Sequence, residues 1–273
     1  MKTNNIVPDK NYGVLDQIVS TTDTDEAIEQ IRSIGYAVVQ SGLTAEDLII
    51  FKNEFDRAHT CYIEKYGKEF LEDRDEQNTI RLPLLSESKR FIEISTNPNV
   101  LAVIGQLIKG KFILNQQNAI INPPREQYNQ GAWHRDLPYQ HFVSSDPIAI
   151  NALFCLDDFS KENGATFVIP ASHKTGSFPS EKYIKNNAIQ VEAKAGSFIV
   201  LDCMLYHAGG YNRTLEKRRA INHIYNIPFL KQQIQIPGNI DPNTLSSLQK
   251  DIFGFSYSEP KTVEDFLLSR KSK

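Results

Sequence analysis

No uncharged apolar run in this chain is long enough to cross a bilayer, so no transmembrane helix is expected. Met1-Lys2-Thr3-Asn4-Asn5 is not followed by the apolar stretch of a secretory signal. Cysteine is scarce: Cys61, Cys155 and Cys203 are odd in number and far apart, which argues against a disulfide framework and for buried thiols in a reducing cytoplasm. In that compartment the glycosylation triplet Asn212-Arg213-Thr214 has no use and reads as accidental. Neither sign of charge prevails. A net charge of −3 gives no reason to expect a nucleic-acid or anionic-membrane partner. Repeats and low-complexity tracts are missing too. With 273 residues, 40% of them apolar, the chain can still bury a substantial core, and a single domain accommodates it.

What is present begins with helical periodicity. Asp23 to Ser33 reads as a helix ended by Gly35, ahead of the β-prone Tyr36-Ala37-Val38-Val39. Thr44 and Asp47 have the spacing of a capping box, and behind them Leu48, Phe51, Phe55, Ala58, Tyr62 and Tyr66 recur at three- and four-residue steps. His59 and Cys61 lie in this helix and are expected to be partly buried packing residues. Lys68 to Thr79 is charged and loop-like, and a second helix is expected from Asn97 to Ile108, closed by Gly110. Residues 23–110 thus form a helical frame that covers one face of a sheet.

From residue 111 to about 230 the pattern changes to short strands: Phe112–Ile121, Pro147–Leu156, Ala165–Pro170, Ile189–Ala193, Ser197–Leu201 and Arg219–Ile227. Pro123-Pro124 stops the first, and the Asn163-Gly164 turn precedes the third. Such a series favours a sandwich or a double-sheet jelly roll, a mostly β fold with flanking helices and a C-terminal helical extension. Alternation along the first strand must bury at least one of Gln116, Gln117 and Asn118. A buried amide needs partners, here either local backbone or a polar substrate, for which Gln117 is the candidate contact.

The chemistry centres on Trp133-His134-Arg135-Asp136. In extended backbone His134 and Asp136 point to the same face and converge on one point. A distant imidazole, His207, would complete two histidines and a carboxylate, the facial triad of non-haem Fe(II) with open coordination positions. Six histidines among 33 acidic residues give roughly 0.7 such His-x-Asp/Glu pairs by chance, so the pair carries weight only through its surroundings. A 2-oxo acid cosubstrate would need a guanidinium for its distal carboxylate, and Arg218 and Arg219 stand just beyond His207. Gly209-Gly210 would let backbone approach a ligand closely. Trp133 either lines the pocket or packs in the core. His173 reads as structural, and His141 and His223 as core residues or supports of the ligands. Two other readings stay open: a zinc hydrolase, which would leave the arginine without a task, and a catalytically silent jelly-roll binding module.

Taken together, His134-x-Asp136, Asn163-Gly164-Ala165-Thr166 with Val168-Ile169-Pro170-Ala171-Ser172-His173, Asp202 ahead of His207, and Arg218 beyond it resemble the phytanoyl-CoA dioxygenase family. The resemblance implies a double-stranded β-helix (jelly-roll, cupin-like) enzyme that uses Fe(II), 2-oxoglutarate and O2. It also implies His134, Asp136 and His207 as catalytic iron ligands, Arg218 as the 2-oxoglutarate anchor, and Asn151 and Thr166 as further residues of the cosubstrate pocket. The outcome expected is hydroxylation of an unactivated carbon in a small polar metabolite, with release of succinate and CO2. Trp133-His134-Arg135-Asp136-Leu137-Pro138 departs from the Trp-His-Ser-Asp-Phe-Glu of the family's ectoine hydroxylases, which argues against ectoine. Gly209 stands where the family often has a serine.

Overall fold

The computed structural model describes residues 7–270. Reciprocal capping boxes open the first two helices. Thr22 accepts from the Asp25 N–H while the Asp25 carboxylate accepts from the Thr22 N–H, starting α1 (Asp23–Ile34). Thr44 and Asp47 repeat the device at the head of the longest helix, α2 (Ala45–Tyr66), which follows β1 (Tyr36–Gln40). Gly35, at φ 94°, ends α1 in the left-handed region and turns the chain into β1. Next come α3 (Lys68–Glu72), β2 (Thr79–Arg81), α4 (Arg90–Ile94) and α5 (Pro98–Leu107). The charged stretch after α2 is therefore more than a loop; its elements are too short to leave a period. Asn97 caps α5 through the Asn99 and Val100 N–H groups, and the helix stops at Leu107, ahead of Gly110.

The strands follow: β3 (Ile113–Asn122), β4 (Ala149–Cys155), β5 (Phe167–Val168), then α6 (Glu181–Asn187), β6 (Ile189–Gln190), β7 (Ser197–Asp202), β8 (His207–Ala208) and β9 (Arg218–Asn226). The short helices α7 (Ser247–Ile252) and α8 (Val263–Ser269) follow the last strand. A six-stranded antiparallel sheet has the order β1-β7-β4-β9-β3-β2, and a three-stranded sheet the order β6-β5-β8. This is the two-sheet arrangement of a jelly roll.

Strand alternation sorts the large sheet into two faces. Phe154, Phe198, Val200, Ile221 and Tyr225 join Ile31, Phe51, Phe55, Phe91 and Ile104 of the helical frame in one apolar cluster. Phe51 of α2 stacks on Phe154 with ring centroids 5.8 Å apart. The apolar stripe of α2 is thus buried at its centre and frays outward, with Tyr66 exposed. His59 packs as expected, with Nε2 2.8 Å from the Gln77 carbonyl, but Cys61 is exposed rather than packed. On the opposite face Ile199, Leu201 and Ala220 meet Val168 and Leu205. All three cysteines are free thiols, and among the described residues no helix is long and apolar enough to cross a membrane. Asn212 is fully buried, donating to the Asn122 and Glu216 carbonyls, so it is a structural residue.

Arg219 lies on the helix side of β9. Its Nε and Nη2 donate to Asp56 of α2 at 2.8 and 2.9 Å, and its Nη1 donates to Asp157 Oδ2 at 3.0 Å. Partial burial alone would raise the Asp56 pKa, but Arg219 and Lys217 bring it below the ordinary value. The fork ties the frame to the sheet. Arg219→Met is expected to lower folding stability by about 1–3 kcal/mol in urea denaturation; an unchanged midpoint would show that the fork contributes no net energy.

Candidate active site

His134 is built into the fold by an antiparallel bridge to β8: its N–H donates to the His207 carbonyl and its carbonyl accepts from the His207 N–H, both at 3.0 Å. The chain stays extended to Asp136, whose N–H donates to the Cys203 carbonyl at 3.1 Å. The segment therefore acts as one more strand on the edge of the small sheet. Facing residues of such a bridge project their side chains together. The two imidazole centroids are 4.3 Å apart, and His207 Nε2 lies 3.7 Å from Asp136 Oδ1. One ligand atom from each of His134, Asp136 and His207 lies within 4.8 Å of the others.

Second partners prepare these groups for a metal. His134 Nδ1 lies 2.8 Å from the Ala132 carbonyl and His207 Nδ1 3.0 Å from the Leu205 carbonyl. A carbonyl only accepts, so each Nδ1 carries the proton and each Nε2 keeps a free lone pair. Burial holds the His207 pKa below its ordinary value against the opposing pull of Asp136, so the ring is neutral, as a ligand must be. Asn151 donates to Asp136 Oδ2 at 2.8 Å. Burial, with Asp136 and Asp202 adding, keeps the Cys203 thiol well above its usual pKa, a neutral neighbour and not a thiolate ligand. Two imidazole nitrogens and a carboxylate oxygen fit Fe(II) by donor type and number.

Arg218, Ala220 and Asn222 share the inner face of β9. They line a cavity with His134, His207, Asn151 and Thr166. Arg218 is only 4% exposed and rests 3.8 Å above the Phe159 ring. Its Nη2 donates to the Tyr128 hydroxyl at 3.3 Å, while Nε and Nη1 have no partner. A buried guanidinium with unpaired donors and no carboxylate is arranged for an anion entering the cavity.

Two expected substrate contacts fall elsewhere. Gln117 pairs with His223 across β3 and β9 on the helix face, donating to the Phe91 carbonyl at 2.7 Å and lying 2.9 Å from His223 Nε2. It satisfies backbone, not substrate. Trp133 alternates with His134 and so turns away from the ligands, packing on Phe167 with centroids 6.2 Å apart. Gly210 admits protein rather than ligand: a Cβ there would lie 2.7 Å from the Ala165 carbonyl oxygen. His173 is buried against the Arg32 carbonyl, His223 is a fully buried core residue, and His141 is exposed on a loop rather than in the core. Tyr128, Gln130 and Asn222 are cavity residues the pattern reading missed. Only Asn222 had a signal, sharing the parity of Arg218 on one strand.

Asp202 ends β7 and shapes the turn toward His207, accepting from the Met204 N–H at 2.8 Å. Burial raises its pKa from the ordinary 3.8 to about 6. The folded state therefore holds this proton more tightly than the unfolded chain does. Above about pH 6 the ionised carboxylate costs stability, and that cost fades as pH falls from about 6 to about 4. Asp202→Asn is expected to exceed the wild type by about 1–3 kcal/mol at pH 8 and by nothing at pH 4, read by denaturant titration at both values. A gain that persists in acid would assign the effect to packing.

The sequence model described as phytanoyl-CoA dioxygenase (PhyH) matches residues 31–220, taking in most of the helical frame as well as the strands. An uncharacterized protein of Mycobacterium tuberculosis is 31% identical over 223 residues, covering 80% of this chain and 81% of its own length. The human peroxisomal phytanoyl-CoA dioxygenase is 23% identical over 217 residues, 69% of this chain and 64% of that protein. Among solved structures, EctD from S. alaskensis with 2-oxoglutarate and 5-hydroxyectoine superposes at TM-score 0.62 with 19% identity, covering 75% of this chain and 76% of that one. The epimerase SnoN with Fe3+, alpha ketoglutarate and nogalamycin RO superposes at 0.60 with 18% identity, covering 82% and 92%. These likenesses carry the jelly-roll fold. With the family match over residues 31–220, they place the chain in the phytanoyl-CoA dioxygenase family, as a 2-oxoglutarate-dependent dioxygenase.

Proposed function

We propose that the protein hydroxylates an unactivated carbon of a small polar metabolite, as a single-domain cytoplasmic enzyme with free thiols. One observation carries the reading. The only described cluster of metal-ligating side chains, His134, Asp136 and His207, has both imidazoles on the wall of the cavity that Arg218 lines with its Nε and Nη1 unpaired. A hydrolytic metal site would have no use for that second feature.

Iron and 2-oxoglutarate, once bound, supply the oxidant from O2 and release succinate and CO2. The chain's own residues bind and orient. His134, Asp136 and His207 would hold the iron, with Asn151 fixing the carboxylate by its amide hydrogen bond. Arg218 would anchor the distal carboxylate of 2-oxoglutarate, and Thr166 and Asn151 border the same space. Asn222 and Gln130 bring further amides to the wall. Asn222 Oδ1 is buried without a partner. The amides on the cavity wall favour a polar ligand.

Purified without oxygen, the protein is expected to bind one Fe(II) and to turn over 2-oxoglutarate faster with its metabolite, which mass spectrometry would show gaining one oxygen. Stoichiometric zinc with no response to iron would overturn this reading. Asp136→Ala should abolish turnover with an unchanged circular dichroism spectrum. Losing a buried charge-assisted anchor costs about 2–5 kcal/mol, so Arg218→Met should weaken 2-oxoglutarate about 30-fold or more. Equal affinity in Arg218→Met and wild type would dismiss the anchor.

A further inference from the structure

Tyr128 belongs to no regular element, yet its position is tightly determined. Its carbonyl accepts from the Gly131 N–H at 3.0 Å, and the next turn is held to β8 by the Gly209 N–H, which donates to the Gln130 carbonyl at 2.7 Å. Asn129 adds a bond of 2.6 Å to the Asp75 carbonyl. The phenol enters the cavity through the gap left by Gly209. A Cβ at that glycine would lie 2.0 Å from the Tyr128 hydroxyl oxygen and 2.8 Å from Cζ, so any larger residue displaces the ring. Within the cavity the hydroxyl meets the Arg218 guanidinium, whose other face is fixed over Phe159.

The direction of that contact matters. Arg218 Nη2 donates and the phenolic oxygen accepts, so the phenolic hydrogen remains available. Burial raises the Tyr128 pKa, with Arg218 opposing, and the group stays a neutral donor near pH 7. Arg218 Nε and Nη1 are also unpaired. An anionic oxygen placed against Arg218 would meet two kinds of donor, a cation and a neutral hydroxyl. We propose that Tyr128 is a second binding residue for the distal carboxylate of 2-oxoglutarate, donating its phenolic hydrogen beside Arg218, and that position 209 is glycine in order to admit it. The proposal rests on the functional reading above and extends it to a residue outside the strands.

The test is calorimetric, on Fe(II)-loaded wild type, Tyr128→Phe and Gly209→Ala under argon. Two ligands are titrated: 2-oxoglutarate, and 2-oxopentanoate, which has the same carbon chain with a methyl in place of the distal carboxylate. A hydrogen bond to a charged group predicts about a 10-fold or greater loss of 2-oxoglutarate affinity in Tyr128→Phe, with 2-oxopentanoate changed less than about two-fold. Gly209→Ala should lose 2-oxoglutarate affinity as well, although every hydroxyl of the cavity is retained. Wild-type affinity for 2-oxoglutarate in Tyr128→Phe overturns the proposal, and so does equal loss of both ligands, which would make the phenol a packing group. Wild-type affinity in Gly209→Ala overturns the role given to the glycine. Failure of the wild type itself to bind 2-oxoglutarate would instead overturn the functional reading, and this proposal with it.

Discussion

Two backbone hydrogen bonds, exchanged between His134 and His207, hold the site together. They join stretches far apart in the chain, set the separation of the imidazoles, and place Asp136 one pleat further along the same face. The side chains need little else. Carbonyls two residues before each histidine set the ring tautomers, and Asn151 steadies the carboxylate. A ligand set carried on paired backbone is stiff before any metal arrives, so little ordering is left for binding to accomplish. A disturbance of the edge of the small sheet would move all three ligands together.

The same two-residue period explains both what could be read in advance and what could not. His134 with Asp136, and the opposed directions of Arg218 and Arg219, follow from alternation within one strand. Gln117 and Trp133 went astray for different reasons. Trp133 has the wrong parity relative to its own neighbour His134, a test that was available in the sequence. Gln117 needed the face of β3 relative to β9, and the register between those strands shifts at Leu114/Gln116. Irregular pairing of that kind leaves no mark in a single strand's composition. Strands of two or three residues, such as β2 and β8, are too short for any period to show.

The polar residues of the large sheet divide into two populations. On the helix face the Gln117 amide nitrogen donates to the Phe91 carbonyl and to His223 Nε2, His223 Nδ1 donates to the Ala152 carbonyl, Gln117 Oε1 has no partner, and burial lowers the His223 pKa to about 4. On the cavity face the Oδ1 atoms of Asn151 and Asn222 have no partners, and neither do Nε and Nη1 of Arg218. The distinction between a structural amide and one that faces a ligand lies in the side of the sheet it occupies, which only three-dimensional placement reveals. Tyr128 shows the same limit, since nothing in its loop marks it as a cavity residue.

Arg135, between two ligands and buried, points the other way. Its guanidinium donates to the carbonyls of Met204, Gln140, Gly176, Ser172 and Thr175, and lies 4.0 Å above the Tyr206 ring. Every hydrogen-bond partner is main chain. Side chains on the segments it gathers, residues 137–143 and 172–178, can therefore be exchanged by mutation without breaking a single one of those bonds. Descendants of such a protein could diverge in these loops while the neighbouring His134 and Asp136 stay in place.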